Sequence, residues 1–498
     1  MAKNPNIVFI LADDLGYGDV SCLNPRCRIP TPNLDRLASG GMTFTDAHAS
    51  SSVCSPSRYG VLTGRYNWRS CLQKGIVGTY GPALIGREQL TVPRLLGQAG
   101  YNSACVGKWH LGWDWPLEMS KCFRPDRDNP APRVTQNTLD TWEQAFSQPI
   151  DGGPITRGFD TYFGVDVPNW PPYAFIEDDR LQGMPTEYLP ADLIGNNQAS
   201  VPGPALEGWK LEAILPALRD RACDYIAESA RKEAPFFLYM PLTSPHTPLA
   251  VNDEWKGKSG LNLYADFVME TDDVIGDVLD ALDESGASDN TLVMFASDNG
   301  CAPYIGVPEL EDMGHYPSAH YRGYKADAWD GGHRIPLFAR WPKEIQADSK
   351  CTQAVCLTDL LATCGDITGK EIPEESGEDS FSILRLLNGR DEMTREEVIH
   401  HSISGKFAIR TGKWKLVLCP GSGGWASPTD EEAIEQGLPP IQLYDMEQDP
   451  GEQNNLESER EDVVEKLSNH LVDLVNKGRS TPGKPLENDV EVDIWKRG

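Results

Sequence analysis

The stretch NIVFILADD, residues 6–14, is a short run rich in large and β-branched apolar side chains that stops at two aspartates. The run is continuous rather than alternating, so both faces of the element are buried, as in an inner strand of a parallel sheet. Pro5 bounds it at the start, and Asp13-Asp14 end it. Ligands of open α/β sheets bind beyond the carboxyl ends of the strands. The two aspartates therefore stand where chemistry can gather.

Similar runs recur along the chain. NSACVGKWH (102–110), PFFLYMPL (235–242) and NTLVMFASDNG (290–300) read as further strands. Between them lie helical stretches. TPNLDRLASGG (31–41) has Thr31 as N-cap, Pro32 at the first position and glycine at the end. TVPRLLGQAGY (91–101) and PALRDRACDYIAESARK are two more. Residues 263–286 carry Phe267, Val274, Val278 and Leu282 on one stripe, with Gly286 as the stop. Strand and helix alternate, which predicts an α/β body with a large, mostly parallel or mixed sheet sandwiched by helices. Residues 112–205, rich in Pro, Trp, Gly and Asn, read as long loops. After about residue 380 the pattern changes. KFAIRTGKWKLVLC (406–419) and IQLYDME (441–447) look antiparallel, and 460–478 is an amphipathic helix. The expected division is a catalytic domain over 1–379 and a smaller α+β subdomain with an antiparallel sheet over 380–498.

The 498 residues carry a net charge of −29. Such a chain does not bind nucleic acid through a general positive field, and an anionic substrate must meet local positive charge. Hydrophobic content of 40% and charged content of 24% are those of a globular, soluble protein. Twelve cysteines are scattered along the chain without a CxxC pair, which argues against a zinc site. No apolar run is long enough to span a membrane, and the start of the chain does not read as a signal peptide. A chain whose signal had been removed would look the same, so periplasmic, secreted and cytoplasmic locations stay open, as does homo-oligomerisation.

Three predicted strands end in polar residues: Asp13-Asp14, His246 in TSPHTP, and Asp298-Asn299. Three carboxylates and one amide oxygen suit a hard cation, Ca²⁺ or Mg²⁺. Each pair alone is also an ordinary turn sequence. Two such pairs at two strand ends favour the metal reading. Lys108, His110, Lys325 and Arg58 fall in comparable places. With a metal they can hold an oxyanion such as sulfate or phosphate.

One cysteine is out of place. Cys54 in SSSVCSPSRYG sits among serines, with Arg58 four residues on. CSPSR (54–58) resembles the C-x-P-x-R signature of type I, formylglycine-dependent sulfatases. NIVFILADDLGYGD, TPNLDRLA, LTGRY, GKWHLG, SPHTP, SDNG and GGHRIP resemble further sulfatase blocks, in the family's order. The resemblance spans about residues 5–345, with a weaker echo in LYDMEQDPGEQNNL (443–456). It implies an alkaline-phosphatase-like fold and a sulfuric ester hydrolase.

It also implies that a separate maturation enzyme oxidises Cys54 to formylglycine, reading Ser55, Pro56 and Arg58 with it. The hydrated aldehyde carries two hydroxyls on one carbon. One attacks sulfur and expels the alcohol; the other loses its proton to release sulfate. By the same resemblance Asp13, Asp14, Asp298 and Asn299, with the modified Cys54, hold one Ca²⁺. Arg58 holds the hydrated aldehyde, and His110 is the base for sulfate elimination. Lys108, His246 and Lys325 contact sulfate, with His246 or Lys325 protonating the leaving oxygen. Around Lys325, GYKADAWDGG departs from the commoner lysine-glycine form.

Family substrates divide between aryl sulfates and sulfated sugars. Trp113, Trp115, Trp142, Trp170, Tyr173 and Phe175 crowd the loops and suit sugar rings, though they equally suit packing of those loops. Trp113, His315, His320 and Arg322 are the expected pocket residues, with His400 and His401 from the subdomain. The acidic surface disfavours long, highly charged polysaccharides. The expectation is an exo-acting carbohydrate sulfatase. The alternatives are a broad arylsulfatase, then a phosphoester or phosphonate hydrolase on the same fold. A binding protein with a dead site is excluded as long as no catalytic position is missing.

Overall fold

The computed structural model describes residues 4–116, 133–190, 200–390, 392 and 394–496. Parts of the expected 112–205 loops, at 117–132 and 191–199, lie outside the described residues.

The run NIVFILA forms the strand Asn6–Ala12 near the middle of a ten-stranded sheet. From edge to edge the strands are Ser349–Cys351, Met42–Phe44, Leu337–Arg340, Thr291–Ser297, Asn6–Ala12, Phe236–Pro241, Asn102–Lys108, Thr161–Val165, Ile176–Glu177 and Arg180–Leu181. The five from Thr291–Ser297 to Thr161–Val165 are mutually parallel. Leu337–Arg340 and Ile176–Glu177 turn antiparallel on either side, so the sheet is mixed.

The continuous apolar pattern has its cause in two cores. Ile7, Phe9 and Leu11 face one cluster, with Tyr59, Leu62, Leu95 and Leu361 from the helices Cys54–Thr63, Val92–Gln98 and Leu360–Thr368. Val8, Ile10 and Ala12 face the other, with Leu218, Val274, Val278 and Leu282 from Ile214–Ser229 and Leu263–Glu284. Successive strand residues point to opposite faces, so a strand covered on both sides must be apolar throughout.

Residues 112–205 are more structured than a set of loops. Thr161–Val165 joins the main sheet beside Asn102–Lys108, and Gln136–Phe146 is a helix. Its sequence, TYFGV, is short and follows a glycine-rich stretch. What makes it a strand is the unpaired edge of its neighbour.

The antiparallel elements near the C-terminus form a second sheet in the order Glu397–His401, Phe407–Thr411, Trp414–Val417, Gln442–Asp445. The helix Glu461–Lys477 covers it through Val463, Leu467, Leu471 and Leu474. This sheet is tied to the main body at Asp330: Lys415 pairs with it at 2.8 Å, and the Asp330 N–H donates to Glu452 Oε2 at 2.7 Å, while Lys415 and Glu452 pair with each other at 2.7 Å, all three buried. Among the described residues no helix is long and apolar enough to cross a membrane.

Candidate active site

Four parallel strands deliver side chains to one edge. Asp13 and Asp14 follow Asn6–Ala12; Lys108 ends Asn102–Lys108; His246 lies beyond Phe236–Pro241; Asp298 and Asn299 follow Thr291–Ser297. Cys54 and Arg58 come from the N-terminal turn of Cys54–Thr63, a helix buried along its whole length and closed by Gly64 in the left-handed region at φ 65°. Lys325 arrives on a loop. Two glycines allow the approach. A Cβ on Gly107 would lie 1.8 Å from the Pro241 carbonyl oxygen, and one on Gly332 would lie 2.4 Å from that of Asp327. Asp14 and His110, at φ 65° and 51°, hold the left-handed conformation that non-glycine residues rarely adopt.

The ten positions expected from the resemblance form one connected network. Lys108 Nζ donates to Asp13 Oδ2 at 2.7 Å. Arg58 donates from Nε and Nη2 to Asp298 Oδ2 at 3.0 and 2.8 Å, and from Nη1 to the Lys108 carbonyl at 3.2 Å. Lys325 Nζ lies 2.7 Å from Asp14 Oδ2 and 3.5 Å from Cys54 Sγ. Cys54 Sγ lies 3.6 Å from Asp13 Oδ1, and His246 Nε2 lies 3.6 Å from Asp14 Oδ2. Asn299 Nδ2 donates to Asp14 Oδ1 at 2.7 Å. His110 is positioned through Val77: its Nε2 donates to the Val77 carbonyl at 3.2 Å, while the Val77 N–H donates to Ser55 Oγ at 3.1 Å. His110 Nδ1 is buried without a partner.

Burial and crowding set the charges. Burial opposes charge on Asp13, yet Lys108, His246, Arg58 and Lys325 hold its carboxyl well below the usual range. Burial and the neighbouring Asp13 push Asp298 up to about 6. Burial pushes the Cys54 thiol up to about 12 against the pull of Lys108 and Lys325. An unmodified Cys54 is therefore a neutral thiol and a poor nucleophile at neutral pH. Burial and Lys325 bring His246 down to about 4, and burial and Lys108 hold His110 well below its ordinary value. Both imidazoles are neutral bases.

The donor set fits a hard cation. Asp13, Asp14 and Asp298 are all buried at this edge, and Asn299 Oδ1 is buried with no hydrogen-bond partner. An orphaned amide oxygen among carboxylates is what an oxygen-liganded ion needs. Among the described residues Asp13, Asp14, Cys54 and His246 also group closely enough to share one ion.

The expected pocket residues are a different matter. Trp113 is 1% exposed and packs on Trp109, Trp115 and Tyr162, with Gly153 pressed against its ring. It belongs to the core, which corrects the expectation that it lines the pocket. His315 is likewise corrected: it is wholly buried, and its Nε2 meets Asp19 Oδ1 at 2.8 Å. Arg322 lies over the Trp329 ring and donates to the Glu452 carbonyl at 2.8 Å, joining the two sheets. His320 is exposed, its ring tilted against that of Tyr321 with centres 4.2 Å apart.

Trp115 and Trp142 pack in a hydrophobic cluster with Phe146. Tyr173 donates to the Asn169 and Val201 carbonyls, and Phe175 stacks on Phe163. Of these aromatics, Trp170 meets the site, edge-on to His110 at 5.2 Å. His400 stacks on His333 with ring centres 3.5 Å apart, and His401 is buried too, so neither lines an open pocket.

Sequence reasoning missed Val77, whose apolar side chain gives no hint of the two backbone bonds it makes. It also missed Asp166, which accepts from the His110 N–H at 3.1 Å. Tyr304 and Trp425, both partly exposed, are a third omission.

Comparison with known proteins agrees with the geometry. A family model described as Sulfatase matches residues 5–370, and one described as N-sulphoglucosamine sulphohydrolase, C-terminal, matches 325–477. N-acetylgalactosamine-6-O-sulfatase of Bacteroides thetaiotaomicron is 32% identical over 94% of this chain and 93% of its own. Human arylsulfatase A is 32% identical over 92% of this chain and 84% of its own. A solved Bacteroides thetaiotaomicron structure, described as a 6S-sulf protein of glycosaminoglycan metabolism, superposes with TM-score 0.79 at 29% identity, covering 95% of this chain and 99% of that one. A phosphonate monoester hydrolase of Agrobacterium radiobacter shares the fold at TM-score 0.57 and 18% identity. With its alkaline-phosphatase-like fold, this chain belongs to the sulfatase family and is a sulfuric ester hydrolase.

Proposed function

We propose that the enzyme removes sulfate from a terminal sulfated sugar, acting in exo fashion, with Cys54 matured to formylglycine and one Ca²⁺ bound. The observation that carries this reading is the placement of Cys54 between oxygen donors and lysines at one sheet edge. Support for the sugar comes from relatives named as N-acetylgalactosamine-6-sulfatases in Bacteroides thetaiotaomicron and mouse.

Asp13, Asp14, Asp298 and Asn299, with the modified Cys54, are the residues that would hold the ion. The ion supplies electrophilic polarisation of a sulfate oxygen, and the aldehyde hydrate supplies the nucleophilic hydroxyl. The chain's own residues do the rest. Arg58, fixed by Asp298, sits four residues from Cys54 on the same helix and orients the hydrate. Lys108 and Lys325 bind the sulfate oxygens and supply positive charge that the chain as a whole lacks. Either Lys325 or His246, both beside Asp14, protonates the leaving oxygen; Lys325 is the one that carries a proton to give at neutral pH, because Asp14 holds it cationic while His246 is a neutral base. His110 Nδ1, unpartnered because Nε2 is spent on Val77, takes the proton that frees sulfate. These catalytic positions all precede residue 379. We keep the division at 379/380 as a working one, with the second unit serving the substrate.

The broad arylsulfatase reading has its support in arylsulfatase A. A maturation enzyme is a required partner in either case. The test is sulfate release after co-expression with a formylglycine-generating enzyme. Singly sulfated mono- and disaccharides are compared with an aryl sulfate, and Cys54→Ala is the control. Dominance of one sugar and one sulfate position supports the exo reading. Cleavage of aryl sulfate alone transfers the assignment to the runner-up, and turnover by Cys54→Ala rules out both.

A further inference from the structure

Few large apolar side chains are exposed among the described residues, and two of them are aromatic: Tyr304 at 45% and Trp425 at 43%. They belong to distant parts of the sequence, yet they touch, with ring centres 5.9 Å apart and planes tilted 44°. Contiguous exposed apolar surface marks interaction sites where scattered single side chains do not, and these two rings form one contiguous surface.

Both rings are anchored to the catalytic edge. Tyr304 lies in the short turn Pro303–Ile305, five residues past Asn299. Burial raises the pKa of its hydroxyl, and Lys325, Asp14, Cys54 and Thr247, the neighbour of His246, are near enough to act on it. Trp425 lies in GSGGWASP, which is clamped onto the Lys325 loop. Asp327 Oδ1 accepts the N–H of Trp425 at 2.8 Å and of Ala426 at 3.0 Å, while its Oδ2 accepts that of Tyr324 at 2.9 Å. A Cβ on Gly424 would lie 2.3 Å from the Ala326 carbonyl oxygen. Only a glycine lets the second unit press so close to the residue after Lys325.

Building on the saccharide reading above, the geometry points to Tyr304 and Trp425 as an aromatic platform that stacks on the sulfated pyranose ring. The C–H face of a pyranose is apolar and uncharged. An aromatic wall binds it without positive charge, which suits a chain of net charge −29. Lys108 and Lys325 hold the anion while the platform holds the ring. The C-terminal unit thereby contributes to substrate choice through Trp425, although the catalytic positions lie elsewhere.

The test is equilibrium binding to Cys54→Ser protein, which binds ester without maturation. The probes are N-acetylgalactosamine 6-sulfate, galactose 6-sulfate and inorganic sulfate. Trp425→Ala and Tyr304→Ala are each expected to weaken saccharide binding by roughly five- to tenfold, with sulfate affinity unchanged. Trp425→Phe should recover most of the loss. Both side chains are half-exposed, so folding is checked simply by an unchanged melting curve. Equal saccharide affinity in parent and alanine variants overturns the platform and leaves the saccharide reading standing. An equal loss of sulfate and saccharide affinity overturns it as well, because the variants then damage the anion site. If the parent binds sulfate and neither saccharide, the saccharide reading falls and the platform falls with it.

Discussion

Lys325 Nζ stands 3.5 Å from Cys54 Sγ while it is bound to the buried carboxylate of Asp14. One ammonium thus touches the residue that carries the nucleophile and a residue of the acidic cluster. Burial works against its charge, but Asp14 holds the Lys325 pKa well above its ordinary value. It therefore stays cationic across the working pH range.

Replacing Lys325 should be costly and specific. Lys325→Ala is expected to lower kcat/KM by about 10²- to 10⁴-fold, the range for loss of a group that stabilises developing charge or transfers a proton. Lys325→Arg should recover little, since a planar guanidinium cannot fill the place of a compact ammonium. Steady-state rates on the best substrate check this. A variant within threefold of wild type removes Lys325 from the chemistry.

Cys54 should be inert until converted. Protein made without a maturation enzyme is expected to show no turnover, because the buried thiol, pushed up to about 12, is not ionised at neutral pH. An aldehyde-reactive probe should label the matured protein at the peptide containing Cys54, in proportion to activity. Activity in protein with no aldehyde would remove formylglycine from the mechanism.

Calcium should matter to the fold as well as to the rate. Chelation is expected to abolish activity. Added Ca²⁺ at about 100 times its Kd should stabilise by about 2.7 kcal/mol, by mass action. Asn299→Ala removes the orphaned amide oxygen and should weaken the metal more than it weakens the chelated protein. Elemental analysis near one ion per chain is the expected count. Two ions would point to a phosphoester hydrolase instead.

A pH effect is expected from a histidine outside the catalytic set. His48 is wholly buried; its Nε2 meets Asp46 at 2.7 Å and its Nδ1 meets His333 Nδ1 at 3.1 Å. Burial and the charge on Arg334 bring it down to about 4. The folded pKa is below the unfolded value near 6.5, so the unfolded chain takes up the proton first. The stability tied to neutral His48 is full above pH ~6.5 and is lost as pH falls towards about 4, in all about 3 kcal/mol. His48→Gln cannot titrate. The stability difference between wild type and His48→Gln should therefore shift against wild type between pH 6.5 and 4.5, read from urea midpoints. A difference that stays constant with pH contradicts the assignment.

The sequence by itself determined the sheet interior and the catalytic edge. NIVFILA could only be a strand covered on both faces, because every one of Ile7 to Ala12 is apolar and alternate residues enter opposite cores. The polar residues that stop each run, Asp13-Asp14, Lys108 and Asp298-Asn299, were legible for the same reason: a buried strand must end where polarity begins. Motif order around Cys54 made the family legible without any structure. Only the tertiary structure decided the surroundings. TYFGV became a strand because a sheet edge was waiting for it. Trp113 and His315 became core residues because neighbouring chain enclosed them, and nothing in an indole or an imidazole records on which side of a loop it will lie. Tyr304 and Trp425 met because Asp327 and Gly424 bring the second sheet's loop onto the Lys325 loop. Periodicity encodes what a residue's own element buries. It does not encode contacts between elements far apart in sequence, and those contacts are what brings Trp425 onto the Lys325 loop beside Tyr304.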